Sequence, residues 1–173
     1  MGYTHYWTFR APVNSIEAAK AERLYQLALI DCVKAIRSLS QKEGGLSGYS
    51  AHEKAGLPKY GGIKLNGSER TGIGEEFNLR ALYSDISNGT GRDFCKTNRH
   101  GYDKAVTACL CILKYRLKDL IEITSDGTAD DWLEGLDVAR TTLRRKVQLP
   151  CTIREHASRI GLKLAYLNKG VSA

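Results

Sequence analysis

Hydrophobic and polar positions alternate along Tyr3–Phe9, which reads Y-T-H-Y-W-T-F. Its aromatic and β-branched residues, between Gly2 and Pro12, predict a strand. Tyr3, His5, Trp7 and Phe9 then share one face, and Thr4, Tyr6 and Thr8 the other. The period changes after Asn14-Ser15, a pair suited to capping a helix. Tyr25, Leu29, Cys32, Val33, Ile36 and Leu39 recur at helical spacing, which predicts a helix over 15–40. Six glycines and a proline within 41–62 predict a loop. Ile63–Asn66 with Gly67 suggests a hairpin or isolated strand, and the alternation of Phe77, Leu79 and Ala81 favours a strand within 75–83.

Polar, glycine-containing 85–92 is a loop, and Asp93–Thr97 a short strand. Tyr102, Ala105, Val106, Cys109, Leu110, Leu113 and Leu117 form the clearest helical stripe in the chain. Ile121–Ser125 is a strand, Asp126-Gly127 a turn, and Thr128 with Asp131 a capping box. Trp132, Leu136, Ala139, Leu143 and Val147 follow one face of the next helix, which Pro150 ends. A second capping box, Thr152 with Glu155, opens a last helical pattern through Ile153, Ala157, Ile160, Leu164 and Leu167. This order predicts an α+β fold, a ferredoxin-like split βαβ antiparallel sheet covered by helices. It divides into a core domain, 1–149, and a basic helical extension, 150–173.

Composition narrows the picture. With 173 residues, 42% hydrophobic and 26% charged, the chain has the size and balance of one folded domain. The net charge is +7, yet residues 1–139 hold 18 Lys/Arg against 18 Asp/Glu. The excess lies in 140–173, where eight basic residues face Glu155 alone, a distribution that attracts phosphate-bearing partners or forms a solvated helix face. Cys32, Cys95, Cys109, Cys111 and Cys151 are odd in number with no C-x-x-C pair, and read as reduced thiols, with Cys32, Cys109 and Cys111 in the core. His5, His52, His100 and His156 are scattered singly, so neither a metal nor another cofactor is implied. No run of about 18 apolar residues and no signal-peptide pattern occurs, so the expected compartment is the cytoplasm.

The densest polar cluster is F-C-K-T-N-R-H-G-Y-D, Phe94–Asp103, where a strand hands over to a helix. A helix start offers free N–H groups and a positive dipole end. Lys96, Thr97 and Arg99 add donors for a phosphate, Tyr102 a stacking face, and Asp103 an acceptor for a ribose or base. The bland alternative places Tyr102 in the core and leaves the cations solvated. His5 and Trp7 are second-rank candidates, a histidine on a strand face being more often structural. Thr124-Ser125-Asp126-Gly127 suits a ligand hydroxyl, or more simply a turn and cap. Gly67–Gly74, with Glu69 and Arg70, is a loop that could close over a ligand. Neither G-x-S-x-G nor H-E-x-x-H is present. In the tail, Ala157 and Gly161 are spaced as in a helix-turn-helix, with Arg154, Arg159 and Lys163 placed for DNA phosphates.

Several segments resemble an uncharacterised family of small tailed-phage and prophage proteins: G-Y-T-H-Y-W at Gly2–Trp7, L-N-G at Leu65–Gly67, E-E-F-N-L-R at Glu75–Arg80, the Phe94–Asp103 cluster, and S-D-G…W at Ser125–Trp132. The resemblance covers about residues 1–145. Asn98, His100 and Gly101 depart from the family's usual F-C-K-T-A-R-K-P-Y-D. It implies a phage accessory protein in the host cytoplasm and carries over no activity. Small phage accessory proteins often counter host immunity, some as soluble sponges for nucleotide signals. The leading expectation is therefore a homo-oligomeric counter-defence protein that sequesters a phosphate-bearing nucleotide through Lys96, Thr97, Arg99, Tyr102 and Asp103, with His5 and Trp7 in reserve. The alternative is a phage DNA-binding regulator using 150–170, and an enzyme acting on a nucleotide comes third.

Overall fold

The computed structural model describes residues 3–43, 46–47, 62–67, 72–84, 91–150 and 152–153. These form an α+β architecture with two small antiparallel sheets and three α-helices.

The first strand, β1 (Thr4–Phe9), buries Tyr3, Trp7 and Phe9 together with His5, as its alternation predicts. Helix α1 (Ser15–Glu43) follows, capped at Asn14, whose Oδ1 accepts the Glu17 N–H at 2.9 Å. The Glu17 carboxylate in turn accepts the Val13 N–H, which fixes the chain as it enters the helix. Within the expected loop 41–62, Leu46–Ser47 is strand β2, and it pairs with β3 (Ile63–Gly67). β4 (Phe77–Leu79) is shorter than the expected strand, with Phe77 and Leu79 buried.

β5 (Arg92–Lys96) leads through a turn to α2 (Asp103–Leu117), then β6 (Ile121–Ser125) and α3 (Leu133–Leu143). β1 lies between β5 and β6 and is antiparallel to both. β5 and β6 are therefore parallel, joined by α2, with an antiparallel strand inserted between them. β2, β3 and β4 do not extend this sheet but make their own. At the seam, the Lys96 N–H goes to the Glu75 carboxylate and the Lys96 carbonyl accepts the Glu75 N–H. One rung forms there, and a side chain takes the donor that a longer ladder would need.

Helix α2 packs against both α1 and α3, and eleven of its fifteen residues are buried. Asp31 of α1, itself buried, holds the Arg116 guanidinium of α2 at 2.6 Å. The helix expected over 132–147 stops at Leu143, because Arg144 turns left-handed at φ 50°. Val147 still reaches the core, and the Arg140 guanidinium bonds its carbonyl. The Thr152 hydroxyl donates to the Ile123 carbonyl, and the second expected capping box, which pairs Thr152 with Glu155, reaches outside the described residues. Glu155 and the helix-turn-helix pattern, with Arg154, Arg159 and Lys163, lie outside the described residues, as do Glu69 and Arg70.

Candidate functional site

The register of the three-stranded sheet places His5 directly opposite Ser125 on one side and Cys95 on the other. Residues opposed across antiparallel strands point to the same face. His5 Nδ1 lies 3.0 Å from Ser125 Oγ. Its Nε2 lies 2.8 Å from Asp103 Oδ1, contributed by the first turn of α2. The Thr97 hydroxyl donates to the same carboxylate oxygen at 2.5 Å. A carboxylate only accepts, so Nε2 carries a proton, and in the neutral imidazole Nδ1 accepts from Ser125. The Gly127 N–H in turn donates to Ser125 Oγ at 3.0 Å. His5 and Thr97 are fully buried, Asp103 nearly so, and Ser125 is partly exposed. The chain of hydrogen bonds thus runs from the surface to the interior.

Aromatic rings enclose it. Tyr3 and Trp132 meet the His5 ring edge-on at 4.8 and 5.0 Å between centroids. The Tyr3 hydroxyl and Trp132 Nε1 are buried with no hydrogen-bond partner among the described residues. Burial, and then the charges of Asp103 and Asp131, push the Tyr3 phenol well above its ordinary range.

The predicted phosphate donors have other partners. Arg99, at φ 60° beside Asn98 at φ 51°, stacks on the Tyr3 ring at 4.2 Å. It is bidentate to Asp131 at 2.9 and 3.3 Å. The Thr128 N–H and hydroxyl bind the same Asp131 carboxylate, the N–H bond being half of the predicted capping box. Burial works against the charged form of Asp131, yet these bonds from Arg99 and Thr128 prevail and hold its carboxyl below the ordinary range. Tyr102 is fully buried, and its hydroxyl bonds the Glu75 carbonyl at 2.9 Å, so its ring offers no stacking face here. Trp7 is core, packed edge-on to Phe77. Asp103 and Thr97 satisfy each other inside the protein. Of the expected ligand residues, Lys96 and Arg99 alone are exposed. Among the described residues, no group of three or more His, Cys, Asp or Glu could hold a metal ion.

The opposite face of the same sheet is a surface that the cluster reading overlooked. Arg92, Phe94 and Lys96 alternate outward on β5, Thr8 and Tyr6 on β1, and Glu122 and Thr124 on β6, while Thr4, of the same parity, is buried. Phe94 and Tyr6 are directly opposed, with ring centroids 6.3 Å apart, and the Arg92 guanidinium lies 6.0 Å from the Tyr6 ring. Phe94 is 53% exposed although large and apolar. Tyr6 and Phe94 thus form an aromatic pair on the outer face of the sheet, with Arg92 and Lys96 two residues either side of Phe94. The sequence held one signal for it, the outward parity of Tyr6, Arg92, Phe94 and Lys96.

Comparison with models of protein families, with characterised proteins and with solved structures finds no match for this chain.

Proposed function

We propose that this chain binds a phosphate-bearing nucleotide on the open face of the β5–β1–β6 sheet. The observation that carries this reading is the Tyr6–Phe94 pair between Arg92 and Lys96. Bases stack on exposed strand aromatics in sheet-type nucleic-acid modules, and each such contact is worth about 1–3 kcal/mol. Arg92 and Lys96 sit two residues either side of Phe94, about 13 Å apart at the rise of a strand. That span suits phosphates on either side of a stacked base. Relative to the sequence expectation, stacking moves from Tyr102 to Phe94 and Tyr6, and Lys96 keeps its phosphate role with Arg92 replacing Thr97.

The β5–α2–β6 unit around β1 is, in this proposal, one split βαβ half of a ferredoxin-like arrangement. The phage counter-defence role, in which a homo-oligomer sequesters an immune signal in the host cytoplasm, belongs to the same proposal and rests on the resemblance alone. The basic extension and its DNA-binding alternative have no observation here to favour them.

Isothermal calorimetry with cyclic dinucleotides, ADP-ribose and a short single-stranded oligonucleotide tests the reading. Phe94→Ala is expected to weaken whichever probe binds by about 5- to 150-fold, the range of one lost stacking contact. Arg92→Ala with Lys96→Ala is expected to flatten its salt dependence. Absence of heat with every probe, or binding unchanged by Phe94→Ala, overturns it.

A further inference from the structure

We infer that Ser125, His5 and Asp103 form a hydroxyl–imidazole–carboxylate relay that makes Ser125 a nucleophile towards carboxylic esters. The inference stands on the inner face of the sheet and is independent of the nucleotide reading.

An activated serine needs a base within hydrogen-bond reach and a third group to hold that base in one tautomer. Both are present. Ser125 Oγ is 3.0 Å from His5 Nδ1, and His5 Nε2 is 2.8 Å from Asp103 Oδ1. The two ring nitrogens are exchanged relative to the familiar serine-hydrolase order, which alters which edge faces the serine and leaves the proton path the same. Four further contacts pre-organise the line. The Thr97 hydroxyl fixes the Asp103 carboxylate, the Gly127 N–H fixes Ser125 Oγ, and Tyr3 and Trp132 hold the ring plane from two sides. The Gly127 N–H occupies one lone pair of Ser125 Oγ and directs its O–H towards Nδ1. Ser125 is the member of the line that reaches the surface, at the C-terminal end of β6.

The step balances as follows. The Ser125 proton passes to His5 Nδ1 as Oγ bonds the ester carbonyl carbon. The carbon–alkoxide bond then breaks, and the leaving alcohol takes the proton from Nδ1. Water repeats the sequence to release the acid and restore Ser125. Asp103 remains a carboxylate and acts as a positioning residue through His5.

A fluorophosphonate probe replaces the ester in the test: Oγ–P forms, P–F breaks, and the proton leaves with fluoride. Peptide mass spectrometry of the full chain is expected to place the adduct on Ser125 in the native protein and to find it absent in the same protein unfolded in urea. Asp103→Asn, with its fold checked by near-ultraviolet circular dichroism, is expected to slow labelling at least 100-fold. p-Nitrophenyl acetate should give a burst that Ser125→Ala abolishes. A native protein that takes up no probe, takes it up elsewhere, or labels Ser125 equally when unfolded overturns the inference.

Discussion

Asp103 is the most constrained side chain of the described cluster, because one buried oxygen accepts from both His5 and Thr97. Replacing it with alanine strands two buried donors, each costing about 1–3 kcal/mol. Asp103→Ala is therefore expected to lower stability by about 2–4 kcal/mol in urea unfolding, with an unchanged m-value. Asp131 gives a pH-dependent counterpart. Its folded carboxyl is held below the ordinary range by Arg99 and Thr128, so its unfolded form binds a proton first as pH falls. The stabilisation is present above the unfolded value, about 3.9, and disappears as pH drops through the lower folded value. The pair is partly exposed, so Arg99→Ala is expected to cost about 0.5–1 kcal/mol at pH 7 and less once the pH falls below the folded Asp131 value, where only the stack on Tyr3 is lost, measured by thermal melts on both sides of it. His5, Thr97 and Asp103 stand out in the sequence as polar residues beside strands and a helix start. That they bond each other rather than a ligand follows from register and from the approach of α2, which no local pattern carries.

At the scale of elements, α2 and α3 approach closely at Gly135. A Cβ on Gly135 would lie 2.1 Å from Thr107 Oγ1 and 2.7 Å from the Ala108 backbone nitrogen. Thr107 is held in place by its bond to the Asp103 carbonyl, and backbone does not yield. Gly135→Ala is expected to force the helices apart and cost about 1–3 kcal/mol, read as a fall in Tm. The helical stripes of α1 and α2 were legible because a 3.6-residue period leaves a regular trace. The end of α3 was not: Leu143 and Val147 keep the helical spacing, while the chain turns left-handed at Arg144 and delivers Val147 by another path. The strand at Phe77–Leu79 was visible by alternation, but its sheet was not, since pairing partners lie far apart in sequence.

At the scale of the molecule, burial governs the chemistry of the four described thiols. Cys32, Cys95, Cys109 and Cys111 are free and buried, and burial pushes the Cys95 thiol up to about 12. Thiolate, the reactive form, is scarce at such sites. Ellman's reagent at pH 8 is expected to leave all four unmodified in the native protein and to modify them in guanidinium, as peptide mapping would show. Their core placement was readable for Cys32, Cys109 and Cys111 from apolar periodicity. No helix among the described residues is long and apolar enough to cross a membrane.

The sequence by itself determined the nature of β1, α1, α2 and β6, the inward parity of Tyr3, His5, Trp7 and Phe9, and the cap at Asn14, because each depends on neighbours within a few residues. The tertiary structure alone decided that His5 opposes Ser125, that Asp103 meets His5 across 98 positions, that Arg99 is spent on Asp131, and that Tyr6 and Phe94 share an open face. Those are facts of register and packing, set by how strands pair and helices dock, and residues distant in sequence leave no periodic signal of their meeting.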